Sequence, residues 1–399
     1  MMDKSCPIPE PFGAMVGNIL FLTLLFFVAF ISRYIFSPLM PVIEDELALT
    51  HGQAGSVFLF GSMGALVASV CSGFVSSRLN HRGTLILSTF LVGITLLALI
   101  FHSSLWAVRV AMLVLGMAAG LGLPSNIATI TALVNRQDWG KALAVQQLAP
   151  PLSLVLGPLL AVALLAIGSW QMVLACLGAF ALVVSFAFLR FGKTGDFPGD
   201  APSLSLAKVI LSRKSFWAMI ILFAFAMGGQ VGIYAMLPLY LVTEHGMTGE
   251  FANTLLGLSQ ISGLFMTFIA GWMTDRIGEK QAIFWVLLAS GIATILLGTL
   301  SGGWLVFVVF LQPALIVCYF PAGFAALSRI VQPNMRSLAS AWAPPMAFLL
   351  GGGLFPTALG YIGQSYTFGL GISIAGCIIV LGSALVFLLT LLEKLEDGC

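Results

Sequence analysis

An arginine stands inside the first long apolar run of this chain, at position 33 of FVAFISRYIFSPLMP. Placing a guanidinium at mid-span costs about 2.5–3.5 kcal/mol on insertion scales, so Arg33 is expected to face a cavity or a partner. Its planar fork matches a carboxylate bidentately, which makes contact with an anionic ligand one reading. Snorkelling toward the outer surface, or bonding to backbone carbonyls, is the other. Tyr34 beside it offers a hydroxyl. All fifteen acids fall in loops or at the ends of apolar runs, and so do the four histidines. Two further arginines, Arg109 and Arg329, lie nearer the ends of their runs and suit interface and gate roles.

Other chemistry is excluded. There is no GxSxG, Walker or HExxH sequence. The six cysteines are scattered, with no CxxC spacing and no Cys/His cluster. No enzyme activity, cofactor, metal site or disulfide is expected. The formal net charge of +2 gives no field for nucleic acid.

The elements that position Arg33 follow from composition. Only 8% of the 399 residues are charged and 59% are hydrophobic, against about 25% charged in soluble domains. Lipid must supply the missing apolar solvent. Twelve runs reach the roughly 20 residues a helix needs to cross a bilayer. They cover 17–42, 53–77, 83–101, 104–134, 141–167, 170–190, 216–243, 251–274, 281–300, 303–331, 337–361 and 366–392. Their length and lack of alternation exclude strands. One set of loops and ends holds Lys4, Arg78, Arg82, Arg136, Lys141, Arg190, Lys193, Lys208, Arg213, Lys214, Arg276, Lys280, Arg336 and Lys394. The opposite loops hold acids instead: Glu44, Asp45, Glu46, Glu244 and Glu250. The positive-inside rule makes the basic side cytoplasmic, with both termini there, in a plasma membrane of the bacterial inner-membrane kind. The chain divides into a six-helix bundle over 1–190, a linker over 191–215 and a six-helix bundle over 216–399. Within the linker, Ser203–Arg213 reads as a short amphipathic helix whose Lys208, with Arg213 and Lys214, meets anionic headgroups or simply anchors a solvated loop.

The halves repeat. GFVSSRLNHR at 73–82 is echoed by GWMTDRIGEK at 271–280, an offset of 198 residues. Ala-Pro-Pro at 149–151 recurs at 343–345, and Pro124 has its counterpart in Pro321. This pattern, Gly-x-x-x-Asp-Arg-x-Gly-x-Lys between the second and third helix of each half, resembles the loop motif of the major facilitator superfamily, and the resemblance covers the whole chain. It implies an all-α transmembrane, twelve-helix fold, two six-helix bundles related by pseudo-two-fold symmetry, and alternating access at their interface. The motif residues here are Gly73, Arg78 and Arg82, then Gly271, Asp275, Arg276 and Lys280. Gly73 and Gly271 are expected to allow close approach of a neighbouring helix. The family's aspartate, which helps latch the outward-facing state, is matched by Asp275. The first copy has Ser77 in its place, and Asn80 replaces the usual glycine.

Aligning Pro41 with Pro238 sets Arg33 opposite Gln230 in helix 7, and helices 1 and 7 line the central cavity in the family this resembles. Tyr34 and Tyr234 lie close by. Helix 7 contains MGGQVGIY, which either flexes as a gate or packs tightly. Further polar candidates within the runs are Asn126, Gln147, Gln260, Tyr319 and Trp342. Gln146 is adjacent to Gln147, so both cannot face one side. Gln312 is a weaker candidate. The expected function is secondary transport of a small organic anion, a mono- or dicarboxylate. Efflux of neutral or acidic drugs and a non-transporting sensor are the alternatives. A coupling proton carried by the substrate, participation of Glu44, Asp45 or Glu244, and uniport or exchange all fit the sequence. The expected partners are the anionic solute, that proton and the bilayer, with the chain acting as a monomer.

Overall fold

Three of the long helices of this protein break just ahead of a proline. A proline removes the hydrogen bond to the carbonyl four residues before it and crowds that carbonyl. Helix α1 (Phe12–Glu46) accordingly divides after Tyr34, four residues before Pro38. Helix α5 divides between Trp139–Gln146 and Ala149–Leu165, where Pro150 and Pro151 follow. The tenth span divides after Ile316, close to four residues before Pro321. The structure, a computed structural model, describes residues 11–102, 104–199, 209–332 and 335–390, with the side chains at 267–268 and 337–338 outside the description.

Ten helices among the described residues are long and apolar enough to span a membrane, and the bent Gly249–Ile277 helix makes eleven. One of the ten, His51–Ala98, is two helices merged across Asn80, which makes twelve. With α1 and α5 above, they are α2 (51–79), α3 (81–98), α4 (Leu105–Leu133), α6 (Trp170–Phe191), α7 (Lys214–Thr243), α8 (Gly249–Ile277), α9 (Glu279–Thr299), α10 (Gly302–Arg329), α11 (Ala339–Ser365) and α12 (Phe368–Leu388). These bounds follow the apolar runs closely. The proposed amphipathic helix falls partly on Ser203–Lys208, outside the described residues. Its end, Val209–Leu211, is helical. The Trp217 indole donates to the Leu211 carbonyl there.

The chain divides into two compact units, Met1–Leu49 with Phe60–Pro202, and Thr50–Leu59 with Ser203–Cys399. In the first, α1 packs on α4, α5 and α6. In the second, α9 lies along α12, and α7 packs on α11 through an apolar cluster that includes Phe216, Phe223, Tyr319, Ala343 and Ala347. The first turns of α2 pack in this second unit, where Thr357 Oγ1 donates to the Gly55 carbonyl and the Gly52 N–H donates to Gln364.

The break between α2 and α3 rests on one residue. Asn80 has φ 59° and ψ 168°, and Gly278, between α8 and α9, has φ 82° and ψ 159°. The two positions are 198 residues apart, so the asparagine adopts the backbone of the glycine it replaces. That region is essentially glycine's own, and occupying it costs a side-chain-bearing residue of order 1–3 kcal/mol.

Candidate functional site

Arg33 and Tyr34 sit immediately before the proline break of α1, where the chain turns away from regular helix. Arg33 is 8% exposed and Tyr34 6%. The guanidinium carbon lies 5.4 Å from the Phe30 ring centre and 5.6 Å from that of Tyr34. Phe30 and Tyr34 stack on each other at 5.1 Å. Two aromatic faces therefore flank a cation inside an apolar helix, an arrangement that is stronger in a desolvated setting.

Asn126 belongs to a buried relay across three helices of the first unit. Its Nδ2 donates to the Leu22 carbonyl of α1 at 2.7 Å, and its Oδ1 accepts from Gln146 Nε2 of α5 at 2.9 Å. Gln146 is fully buried, whereas Gln147 is exposed. The sequence candidate Gln147 is thus outside this relay, and its neighbour is in it. Gln146 Oε1 and Ser125 Oγ, both buried, have no hydrogen-bond partner among the described residues. Asn126 also lines a crevice with Leu25, Phe26, Ser88 and Thr89.

In the second unit, Gln230 is half-buried within a π-helical turn, Gly228–Gly232. Gln312 of α10 donates to the Gly229 carbonyl at 2.8 Å and reaches Thr294 Oγ1 at 3.5 Å. A wide turn loosens the regular carbonyl pairing of a helix, and Gln312 occupies one carbonyl of it. Helix α11 has a π-helical turn of its own, Leu349–Leu354. The two turns pack through glycine: a Cβ added at Gly232 would lie 2.5 Å from the Gly351 carbonyl, and one at Gly351 would run into the Ala224 carbonyl. Tight packing is therefore what the glycines of MGGQVGIY do here. Tyr234 and Gln260 are buried. Tyr319 is fully buried edge-on to Phe223 at 5.1 Å, and its hydroxyl has no hydrogen-bond partner among the described residues. Trp342 is half-buried against the same apolar cluster.

The motif residues divide in two. Gly73 is half-buried and Arg78 exposed. Arg82 pairs with Asp196 of the segment that follows α6 at 3.3 Å and donates to the Leu189 carbonyl at 2.9 Å. In the second copy Asp275 and Arg276 are exposed, with Arg276 4.6 Å from the Trp272 ring centre, and Lys280 is half-buried. Arg329 forms an ion pair with Glu279 at 2.8 Å, reaching both carboxylate oxygens. The expectation for Gly271 is corrected: a Cβ added there would meet nothing within 4 Å, so among the described residues no neighbouring backbone approaches it. The glycine contacts that do bring helices together lie deeper, as at Gly61 and Gly116 between α2 and α4.

Outside the spans, Asp138 sits in the turn before α5. Lys141 hydrogen-bonds it at 2.8 Å and the Phe12 N–H at 3.4 Å, which holds its carboxyl below the usual carboxylate range.

Comparison with known proteins agrees with this architecture. The model of the Major Facilitator Superfamily matches residues 22–356 and, in an overlapping second match, 236–398. The membrane sensor protein UhpC of Salmonella typhimurium is 23% identical over 324 residues, 74% of this chain and 71% of the relative. A gallate transporter of Pseudomonas putida is 23% identical over 394 residues, 88% of this chain and 83% of the relative. Among solved structures, a bacterial homolog of the human lysosomal transporter Spinster superposes with a TM-score of 0.82 at 15% identity, over 94% of this chain and 96% of that one. Twelve apolar helices, a twice-used loop motif and a family match along nearly the whole length lead to one conclusion: the chain belongs to the Major Facilitator Superfamily.

Proposed function

We propose that this protein carries a small organic anion, a mono- or dicarboxylate, across the membrane by alternating access, with Arg33 as the residue that meets the negative charge. The observation that carries the reading is the buried guanidinium of Arg33 at the break of α1, flanked by Phe30 and Tyr34. An arginine fork matches a carboxylate, and aromatic faces beside it suit an aromatic or otherwise planar acid. The gallate transporter among the relatives supports this, since gallate is an aromatic carboxylate. Asn126, Gln147, Gln230, Tyr234, Gln260, Tyr319 and Trp342 are proposed to complete the solute path. The basic ends of the helices are proposed to face the cytoplasm, by the positive-inside rule.

The test is a thermal-shift panel on the purified protein with gallate, benzoate, succinate, a neutral sugar and a cationic dye. Binding to the folded state raises its stability by about 2.7 kcal/mol at a hundredfold excess over Kd. Stabilisation by the carboxylates alone, lost in Arg33→Gln and partly kept in Arg33→Lys, is the expected result. Equal carboxylate stabilisation in wild type and Arg33→Gln removes Arg33 as the anion site. The likeness to UhpC favours a second reading, a non-transporting sensor of such anions. Carboxylate binding with no counterflow uptake in proteoliposomes would select it.

A further inference from the structure

The first motif loop is held by a segment that lies outside it. A helix leaves its last carbonyls and first N–H groups unsatisfied. At the break between α2 and α3 those groups meet residues 192–199, which follow α6. The His81 N–H, first of α3, donates to the Phe197 carbonyl at 3.1 Å, and the Arg82 N–H donates to Gly195 at 2.9 Å. In the other direction, the Gly199 N–H donates to the Ser76 carbonyl near the end of α2 at 3.1 Å. The side chains repeat the pairing: Arg82 with Asp196 at 3.3 Å, and the His81 ring with Phe197 at 4.7 Å. Gly195 has φ 88°, and a Cβ on it would lie 2.9 Å from the Arg82 nitrogen. The glycine permits this approach.

The second motif loop is built differently. Gly278 takes the positive φ without strain, and the backbone hydrogen bonds described across it are local: Gly278 to Thr274, and Ala282 to Gly278. The first loop needs outside support because a non-glycine residue in this region persists only where its surroundings over-determine it.

We propose that residues 192–199 form a clasp that positions the first motif loop, holding Asn80 in a glycine-like backbone, with Asp196 as the positioning residue for Arg82. Release of the clasp removes the caps on both sides of Asn80 and lets the strained residue relax. The first loop is thus a two-state element governed by the linker, whereas the second is fixed by its own glycine. The inference does not depend on which solute is carried.

The test is amide hydrogen exchange on the full-length protein in detergent, read at His81 and Arg82. Asp196→Asn is expected to raise exchange there at least threefold, and Gly195→Val at least tenfold, with the amides of Leu87–Phe90 unchanged. Asp196→Glu should stay within twofold of wild type. Wild-type exchange at His81 and Arg82 in Asp196→Asn would overturn the proposal, and this variant decides the matter even if Gly195→Val does not fold. A second measurement addresses strain. The fall in melting temperature caused by Asp196→Asn should be at most half as large in an Asn80→Gly background. An equal fall in both backgrounds would overturn the role assigned to Asn80.

Discussion

The Glu46 carboxylate accepts the Trp170 indole N–H at 2.8 Å and, through its other oxygen, the Gln171 amide at 2.7 Å, so the end of α1 is fastened to the start of α6. The second half repeats this at the same 198-residue offset. Glu244, at the end of α7, accepts the backbone N–H groups of Phe368 and Gly369 at the start of α12, the latter at 3.0 Å. An acid near the end of the first helix in each half grips the start of the sixth. Both are charge-assisted contacts, and the second also meets the positive end of a helix dipole.

Removing either charge should therefore loosen its own half. Glu46→Gln and Glu244→Gln are each expected to cost about 1–2 kcal/mol, seen as a lower melting temperature in detergent. An unchanged melting temperature in both would mean that the contacts contribute nothing.

The relay through Asn126 separates two adjacent glutamines. Gln146→Ala strands a buried acceptor and should cost about 1–3 kcal/mol. Gln147→Ala, at an exposed position, should stay within about 0.5 kcal/mol of wild type. Comparable losses in the two variants would contradict the described geometry of α5.

The glycine contact between α7 and α11 leaves no room for a side chain. Gly351→Val should cost about 3 kcal/mol or more, because the obstacle is backbone rather than a movable side chain. The expected readout is loss of the monodisperse peak on size exclusion. Gly271→Val, in open space, is the control and should elute as wild type does.

Asp138 gives a pH dependence. Its folded carboxyl titrates below the usual range because Lys141 and the Phe12 N–H bond its ionised form. Such a group adds stability above its unfolded pKa of about 3.9 and loses it as pH falls through the lower folded value. The difference in melting temperature between wild type and Asp138→Asn should be constant near neutrality and close as pH falls below about 4. A difference that grows on acidification would reverse the sign and refute the assignment.

The helices were legible because length and apolarity are local properties, but the breaks before Pro38, Pro150 and Pro321 were not, since Pro124, Pro158 and Pro238 lie in helices that run on unbroken. The π-helical turn at Gly228–Gly232 was half legible: three glycines flagged it, but periodicity cannot register an extra residue in one turn. The matching turn at Leu349–Leu354 carries the same signal in Gly351, Gly352 and Gly353. The choice between Gln146 and Gln147 turned on a break whose rotation periodicity does not give. The fastening of Glu46 to Trp170 spans 124 residues, and that of Arg82 to Asp196 spans 114. Neither has a local pattern. The offset of 198, already visible in the loop motif, was the available clue for Glu46 and Glu244.

The two acid grips differ in what they demand of the gene. Glu46 holds side chains, so a single codon change at Trp170 or Gln171 deletes half of the grip. Glu244 holds donors that every non-proline residue supplies, so as far as the grip itself is concerned it survives drift at position 368 in anything except proline. Of two contacts that do the same work, the first is exposed to mutation and the second is shielded by the backbone.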